Sequence, residues 1–258
     1  MSIESIQETT ADSAPSTTGV RRRWRVSSAE NSAGVAAVLQ RRADAPAGLL
    51  HGLLVKHGFR VGTVRLDLGE PLPDPASVRL AVVLGSDGAA DESARLWTDA
   101  QVDWLREADQ SGTAVLGVGS GAHALAVAMG GATESATRSR HGWIQVSSDV
   151  PRWIASGPWL AWNEDVLRPP HGSRVLAHSS LGAEAFTING HLGVRFHPEV
   201  TPEIVRDWVT RPGDRVLDSQ GILEATWRDQ PEATAATQRL VSGFVRSLDP
   251  VAAGAAGR

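Results

Sequence analysis

The sequence has 258 residues, 41% hydrophobic and 21% charged, with a net charge of −4 and a pI near 6.1. That balance fits a soluble globular chain and gives no general electrostatic reason to bind nucleic acid or a membrane. No apolar run approaches the roughly 18 residues that a membrane-spanning helix needs. No cysteine is present, which excludes disulfides, thiolate zinc sites and a thiol nucleophile together.

Residues 1–30 are rich in Ser, Thr and Glu and poor in large apolar groups, so a disordered N-terminal tail is expected. Glu4 and Glu8 stand where a secretory signal requires basic residues, so a cytoplasmic location is expected. The cluster Arg21-Arg22-Arg23-Trp24-Arg25 is either a contact for an acidic partner or a set of solvated arginines where the ordered domain begins. One domain is expected over 31–248, with 249–258 fraying.

Short apolar, β-branched runs then alternate with helical patterns, which predicts a parallel sheet covered by helices. A strand over 34–40 leads to a helix over 47–57, whose apolar stripe is Leu49, Leu50, Leu53 and Leu54 and whose stop is Gly58. Strands follow over 60–66 and 79–84, with Pro71, Pro73 and Pro75 excluding regular structure between them. The helix over 96–109 presents Trp97, Val102, Trp104 and Leu105 to the sheet. A fully apolar strand over 113–118 runs through Gly117-Val118-Gly119-Ser120-Gly121 into a helix over 122–129. Beyond Gly130-Gly131, strands are expected over 143–147, 159–162, 174–178, 183–188 and 192–196. Residues 202–210 and much of 216–248 read as helices.

Two features carry candidate chemistry. A strand, tight glycine turn and helix is the geometry of a nucleophile elbow, where free backbone N–H groups at the helix start stabilise an anion. Phe196-His197-Pro198-Glu199 follows a strand end and places a carboxylate two residues after an imidazole, the arrangement of a base oriented by its acid.

In this order and spacing the two features resemble the class I glutamine amidotransferases, particularly stand-alone relatives of the GMP synthetase glutaminase domain. The resemblance covers roughly residues 35–210 by motif order. It rests on Val64-Arg65-Leu66-Asp67 with Gly69-Glu70-Pro71-Leu72-Pro73, on Val82-Val83-Leu84-Gly85, and on Ala114-Val115-Leu116-Gly117-Val118. Leu125-Ala126 with Gly130-Gly131, Gly142-Trp143, and Gly193-Val194-Arg195-Phe196-His197-Pro198-Glu199-Val200-Thr201-Pro202-Glu203 complete it. The implied fold is α/β: a class I glutamine amidotransferase-like (flavodoxin-like) three-layer sandwich with a mostly parallel central sheet. The implied mechanism uses an elbow cysteine, activated by the histidine that the glutamate orients. Here those positions hold Gly119, His197 and Glu199, and glycine can form no acyl-enzyme.

Other loops depart from the family pattern as well. Its Gly-Gly-Pro is Gly85-Ser86-Asp87, and the His-Gln after the elbow is Ala122-His123. Its His-Trp-His-Gly-Asp is Ala161-Trp162-Asn163-Glu164-Asp165, and the Gln before Phe-His-Pro-Glu is Arg195. Changes in several loops point to natural loss or replacement of glutaminase function.

The expected function is therefore an amidotransferase-like protein without glutaminase activity, its cleft binding or transforming a small polar metabolite with no covalent thioester. With the cysteine removed, space at the elbow beside His197 is a candidate anion pocket, framed by Gly85, Ser86, Ser120, Gly121, His123, Trp162, Asn163 and Arg195. The alternative is a non-catalytic scaffold or regulatory partner of a synthetase. A third reading is a serine hydrolase using Ser120 and His197, against a purely structural Ser120 that caps its helix. His197 and Glu199 themselves serve either to anchor a turn or as base, proton donor or ligand contact. His123 is a candidate second imidazole beside His197, Arg195 faces either an anionic ligand or an acid partner, and no cofactor or metal is implied.

Overall fold

The computed structural model describes residues 33–85, 92–211 and 216–248; the side chains of 92–98, 135, 137 and 138 lie outside that description. The predicted N- and C-terminal tails, the arginine cluster at 21–25, the Trp97 side chain and Ser86 therefore fall outside the described residues.

An eight-stranded sheet forms the centre, in the order β2-β1-β3-β4-β10-β9-β8-β6. The strands β1 (Val35–Gln40), β2 (Arg60–Arg65), β3 (Leu80–Val83), β4 (Ala114–Val118) and β10 (His191–Val194) run parallel. β9 (Gly182–Ile188), β8 (Arg174–Ser179) and β6 (Ser147–Ser148) extend it antiparallel. Strands β1, β3 and β4 read as continuous apolar runs because both of their faces are covered. Along β1, Ala36 and Val38 join one core while Ala37 and Leu39 join the other. In β3 the split is Leu80 and Val82 against Ala81 and Val83.

The first core is closed by α1 (Gly48–Lys56), through Leu50 and Leu54, and by α5 (Ser219–Ser247), through Ala236, Leu240, Val241 and Phe244. The second is closed by α2 (Glu92–Gln110), through Val102, Trp104, Leu105 and Ala108, and by α3 (Ser120–Ala128). This is the three-layer α/β arrangement expected from the sequence. Of the predicted α1 stripe, Leu50 and Leu54 are buried, while Leu53 packs at the core margin. Trp104 is fully buried, its indole N–H donating to Pro73 O at 2.7 Å.

Three element boundaries differ from expectation. A long strand, β5 (Ala132–Ile144), pairs with β7 (Trp159–Arg168) as a separate two-stranded ribbon, where a shorter strand from 143 and another ending at 162 were expected. Helix α3 begins at Ser120, directly after the elbow, and not at 122. The segment near 216–248 is one helix that runs through Pro231. That proline deprives the Trp227 carbonyl of its usual donor.

A third apolar cluster, of Leu160, Trp162, Val200, Ile204, Val205, Trp208, Val209 and Ile222, joins β7, α4 (Pro202–Val209) and the start of α5. It lies beside the carboxyl ends of β4 and β10, where open parallel sheets hold their ligands. No described helix is long and apolar enough to cross a membrane.

Candidate functional site

The elbow is built by close backbone contact. Gly119 leaves β4 at φ +57°, ψ −123°, and its N–H donates to Val194 O of β10 at 2.9 Å. A side chain in that conformation is strained, and glycine is not. Gly121 is required for a different reason: a Cβ there would stand 2.0 Å from Val83 O, so α3 rests directly on the backbone of β3. Gly85, at the end of the described β3 loop, lies over the same turn. A Cβ built on it would be 3.1 Å from Ser120 N and 3.2 Å from Ser120 Oγ.

The segment at 197–200 is held at four backbone points. His197 N–H donates to Leu160 O at 2.8 Å, and Leu49 N–H, at the start of α1, donates to Glu199 O at 2.9 Å. Thr237 Oγ1 donates to Pro198 O at 3.0 Å and Gln230 Nε2 to Val200 O at 3.2 Å, both from α5. Within this frame His197 Nδ1 lies 2.7 Å from Glu199 Oε1, and both side chains are buried. A carboxylate accepts, so Nδ1 is the donating nitrogen of this pair. Trp208 meets the ring edge-on at 5.0 Å, and its own indole N–H is fixed on Asp44 O at 2.8 Å. Trp162 packs against Trp208 at 5.4 Å and against His141 at 4.4 Å.

The imidazole reaches the elbow itself. A Cβ placed on Gly119 would lie 2.6 Å from His197 Cε1 and 3.0 Å from Nε2. This corrects the expectation of open space at the elbow: the ring fills the position next to Gly119 that a side chain would take.

A buried charged network surrounds Arg195. Arg195 is 1% exposed and sits 3.6 Å from the carboxylate of Glu184, which is fully buried. Glu184 Oε1 also accepts from Arg140 Nη1 at 2.9 Å and from Ser179 Oγ at 2.5 Å. Arg195 thus pairs with an interior acid and not with a surface one. Its Nε and Nη1, together with Asn163 Nδ2, have no hydrogen-bond partner among the described residues. Burial holds the Arg195 guanidinium below its ordinary pKa, with Glu184 opposing. Burial likewise raises the Asp165 carboxyl, against the pull of Arg195.

The predicted site residues separate accordingly. Gly119, His197 and Glu199 meet, with Gly85, Ser120 and Gly121 forming the turn beside them. Trp162 supports the ring through Trp208, and Asn163 is buried on the same strand. His123 is turned elsewhere: Nδ1 lies 3.1 Å from Thr133 Oγ1, and no described contact joins it to His197. Burial first, and the Arg195 charge second, lower its pKa to about 4. No group of His, Asp or Glu suited to a metal ion occurs among the described residues. Sequence reasoning missed Glu184, Trp208 and Thr237. For Glu184 a signal existed, a lone carboxylate inside the apolar strand run at 183–186.

No protein-family model matches the chain. Among curated proteins it is similar to a glutamine-hydrolysing GMP synthase subunit from Sulfurisphaera tokodaii, 32% identical over 94 residues, covering 33% of this chain and 50% of that protein. The corresponding protein of Ignicoccus hospitalis is 33% identical over 95 residues, again 33% of this chain and 50% of the relative. The chain thus spans about half the length of the curated relatives it matches. Among solved structures, a glutamine amidotransferase from Thermotoga maritima superposes with a TM-score of 0.73 at 18% identity, covering 83% of this chain and 99% of that one. One from Methylobacillus flagellatus gives a TM-score of 0.72 at 18% identity, covering 84% and 95%. With its mostly parallel sheet covered by helices on both faces, the chain has the class I glutamine amidotransferase fold.

Proposed function

We propose that this chain does not hydrolyse glutamine and that its cleft binds or transforms a small polar metabolite without a covalent thioester. One observation carries the reading: the His197 ring stands where a side chain on residue 119 would have to go. Gly119 in the nucleophile's place, in a chain without cysteine, leaves nothing to attack an amide. The His197–Glu199 pair retains an oriented base, and the start of α3 retains backbone N–H groups beside it. Such a site suits proton transfer to or from a bound molecule, or recognition of its anionic group.

The test is release of ammonia from glutamine by the wild type and by Gly119→Cys. Neither is expected to release it, because a thiol at 119 displaces the imidazole that would activate it. Wild-type turnover that disappears in His197→Ala overturns the reading. The alternative, a scaffold or regulatory partner of a synthetase, draws on the relatives being synthase subunits and on Trp227, 66% exposed on α5. Stable co-purification with a synthetase would favour it. A Ser120 hydrolase is disfavoured, because the elbow turn brings residue 119, and not 120, against the His197 ring.

A further inference from the structure

Away from the elbow, a cavity of about 420 Å³ opens between the end of β5, β6 and the end of β8. It is lined by Arg140, Gln145, Val146, Ser147, His178, Ser179 and Ser180. The volume lies within the range of small-molecule sites. Six of the seven lining side chains carry a hydrogen-bonding group, and none is acidic.

The basic group in this wall is set before any ligand arrives. Arg140 Nη1 donates to Glu184 Oε1 at 2.9 Å and to Ser179 Oγ at 3.1 Å, so the guanidinium is fixed while its side chain remains 21% exposed. Glu184 is fully buried and divides its charge between Arg140 and Arg195. Arg195 is shared between Glu184 and Asp165, while Arg140 is held by Glu184 and Ser179. Arg195 is sealed in the interior, so this network meets solvent through Arg140. Asp165 is the other acid acting on Arg195; it lies on β7, and neither it nor Glu164 lines the cavity. Opposite Arg140, Ser147 pairs with His178 across β6 and β8, which brings a hydroxyl and an imidazole to the same opening.

We infer that this cavity is an oxyanion site, holding the carboxylate or phosphate group of a small molecule on Arg140, with Ser147 and His178 as further donors. A guanidinium held on one nitrogen keeps its remaining N–H groups for an anion, and a planar fork matches both carboxylate and phosphate. None of the residues lining it belongs to the elbow or to the His197–Glu199 pair.

The test is calorimetric or NMR titration of the full chain with inorganic phosphate and, separately, with glutarate, at fixed ionic strength. Saturable binding of either probe is expected, and the tighter of the two identifies the kind of anion. Ser147→Glu places a like charge in the opening without touching the Arg140–Glu184 pair, and it should weaken binding about tenfold or more. Arg168→Gln, at an exposed arginine elsewhere, should leave binding unchanged. Arg140→Gln should abolish it; because that variant also disturbs a buried pair, Ser147→Glu carries the decision. Absence of saturable binding to the wild type, or equal binding to Ser147→Glu, overturns the assignment.

Discussion

Alanine at position 119 tests the placement of the imidazole directly. Two costs arise from the geometry. The backbone at φ +57°, ψ −123° disfavours any side chain, a strain of about 1–3 kcal/mol. The new Cβ would also stand 2.6 Å from His197 Cε1, about an ångström inside ordinary carbon contact at roughly 3.5–4.0 Å. The ring is held by Glu199 at 2.7 Å and bounded by Trp208, so relief requires loosening a charge-assisted hydrogen bond worth about 1.5–3 kcal/mol. Gly119→Ala should therefore destabilise by about 2.5–6 kcal/mol in denaturant unfolding. In a His197→Ala background the ring is gone, and only the backbone strain of about 1–3 kcal/mol should remain. The double-mutant cycle should show a coupling of about 1.5–3 kcal/mol. Additive effects, with coupling under about 0.5 kcal/mol, would refute the claim that the imidazole occupies the elbow.

Two further outcomes follow from buried charges. His123 is neutral in the folded chain, its pKa lowered to about 4, so its contribution is complete above the unfolded value near 6.5. That contribution, about 3 kcal/mol, is lost as pH falls from about 6.5 through about 4, and His123→Gln should flatten the stability difference across that window. Glu184→Ala strands Arg195 beside a second guanidinium and should cost about 3–5 kcal/mol; Arg195→Met should cost less, since Glu184 keeps Arg140 and Ser179. Thermal or denaturant unfolding of the two variants decides this, and the reverse order would contradict the network.

What could be read from the sequence follows from which interactions specify each part. Strands β1, β3 and β4 announce themselves because burial on both faces demands unbroken apolar runs. The first part of β5, at 133–141, has no such pattern; its extended form comes from pairing with β7, a partner in space that local composition does not reveal. Helix α5 continues through Pro231 because packing of Ala233, Ala236, Leu240 and Phe244 outweighs one lost hydrogen bond. At the site, the two-residue spacing made the His197–Glu199 pair legible. The ring's approach to Gly119 was not, because it depends on anchors from α1, β7 and α5 that are distant in sequence. Arg195 illustrates the same limit: its type pointed to an anion, while the identity of that anion, Glu184, is set by the pairing of β9 with β10.

If residue 119 supplies no nucleophile, as proposed, the same contacts bear on why the His197–Glu199 pair is so well built. A buried imidazole and carboxylate are poor contributors to stability, since apolar residues of similar volume often replace such pairs at no loss. Here four backbone hydrogen bonds from three separate elements hold the segment, and Trp208 fixes the ring from the side. Anchoring the turn alone requires only those backbone bonds, which many other residues at 197 and 199 would permit, proline at 197 excepted. The side-chain bond at 2.7 Å adds an orientation of the ring, with its Cε1–Nε2 edge against Gly119. Orientation of that edge is a property that matters to a bound molecule and not to the fold. That distinction favours a cleft still used for a ligand over one retained only as scaffold.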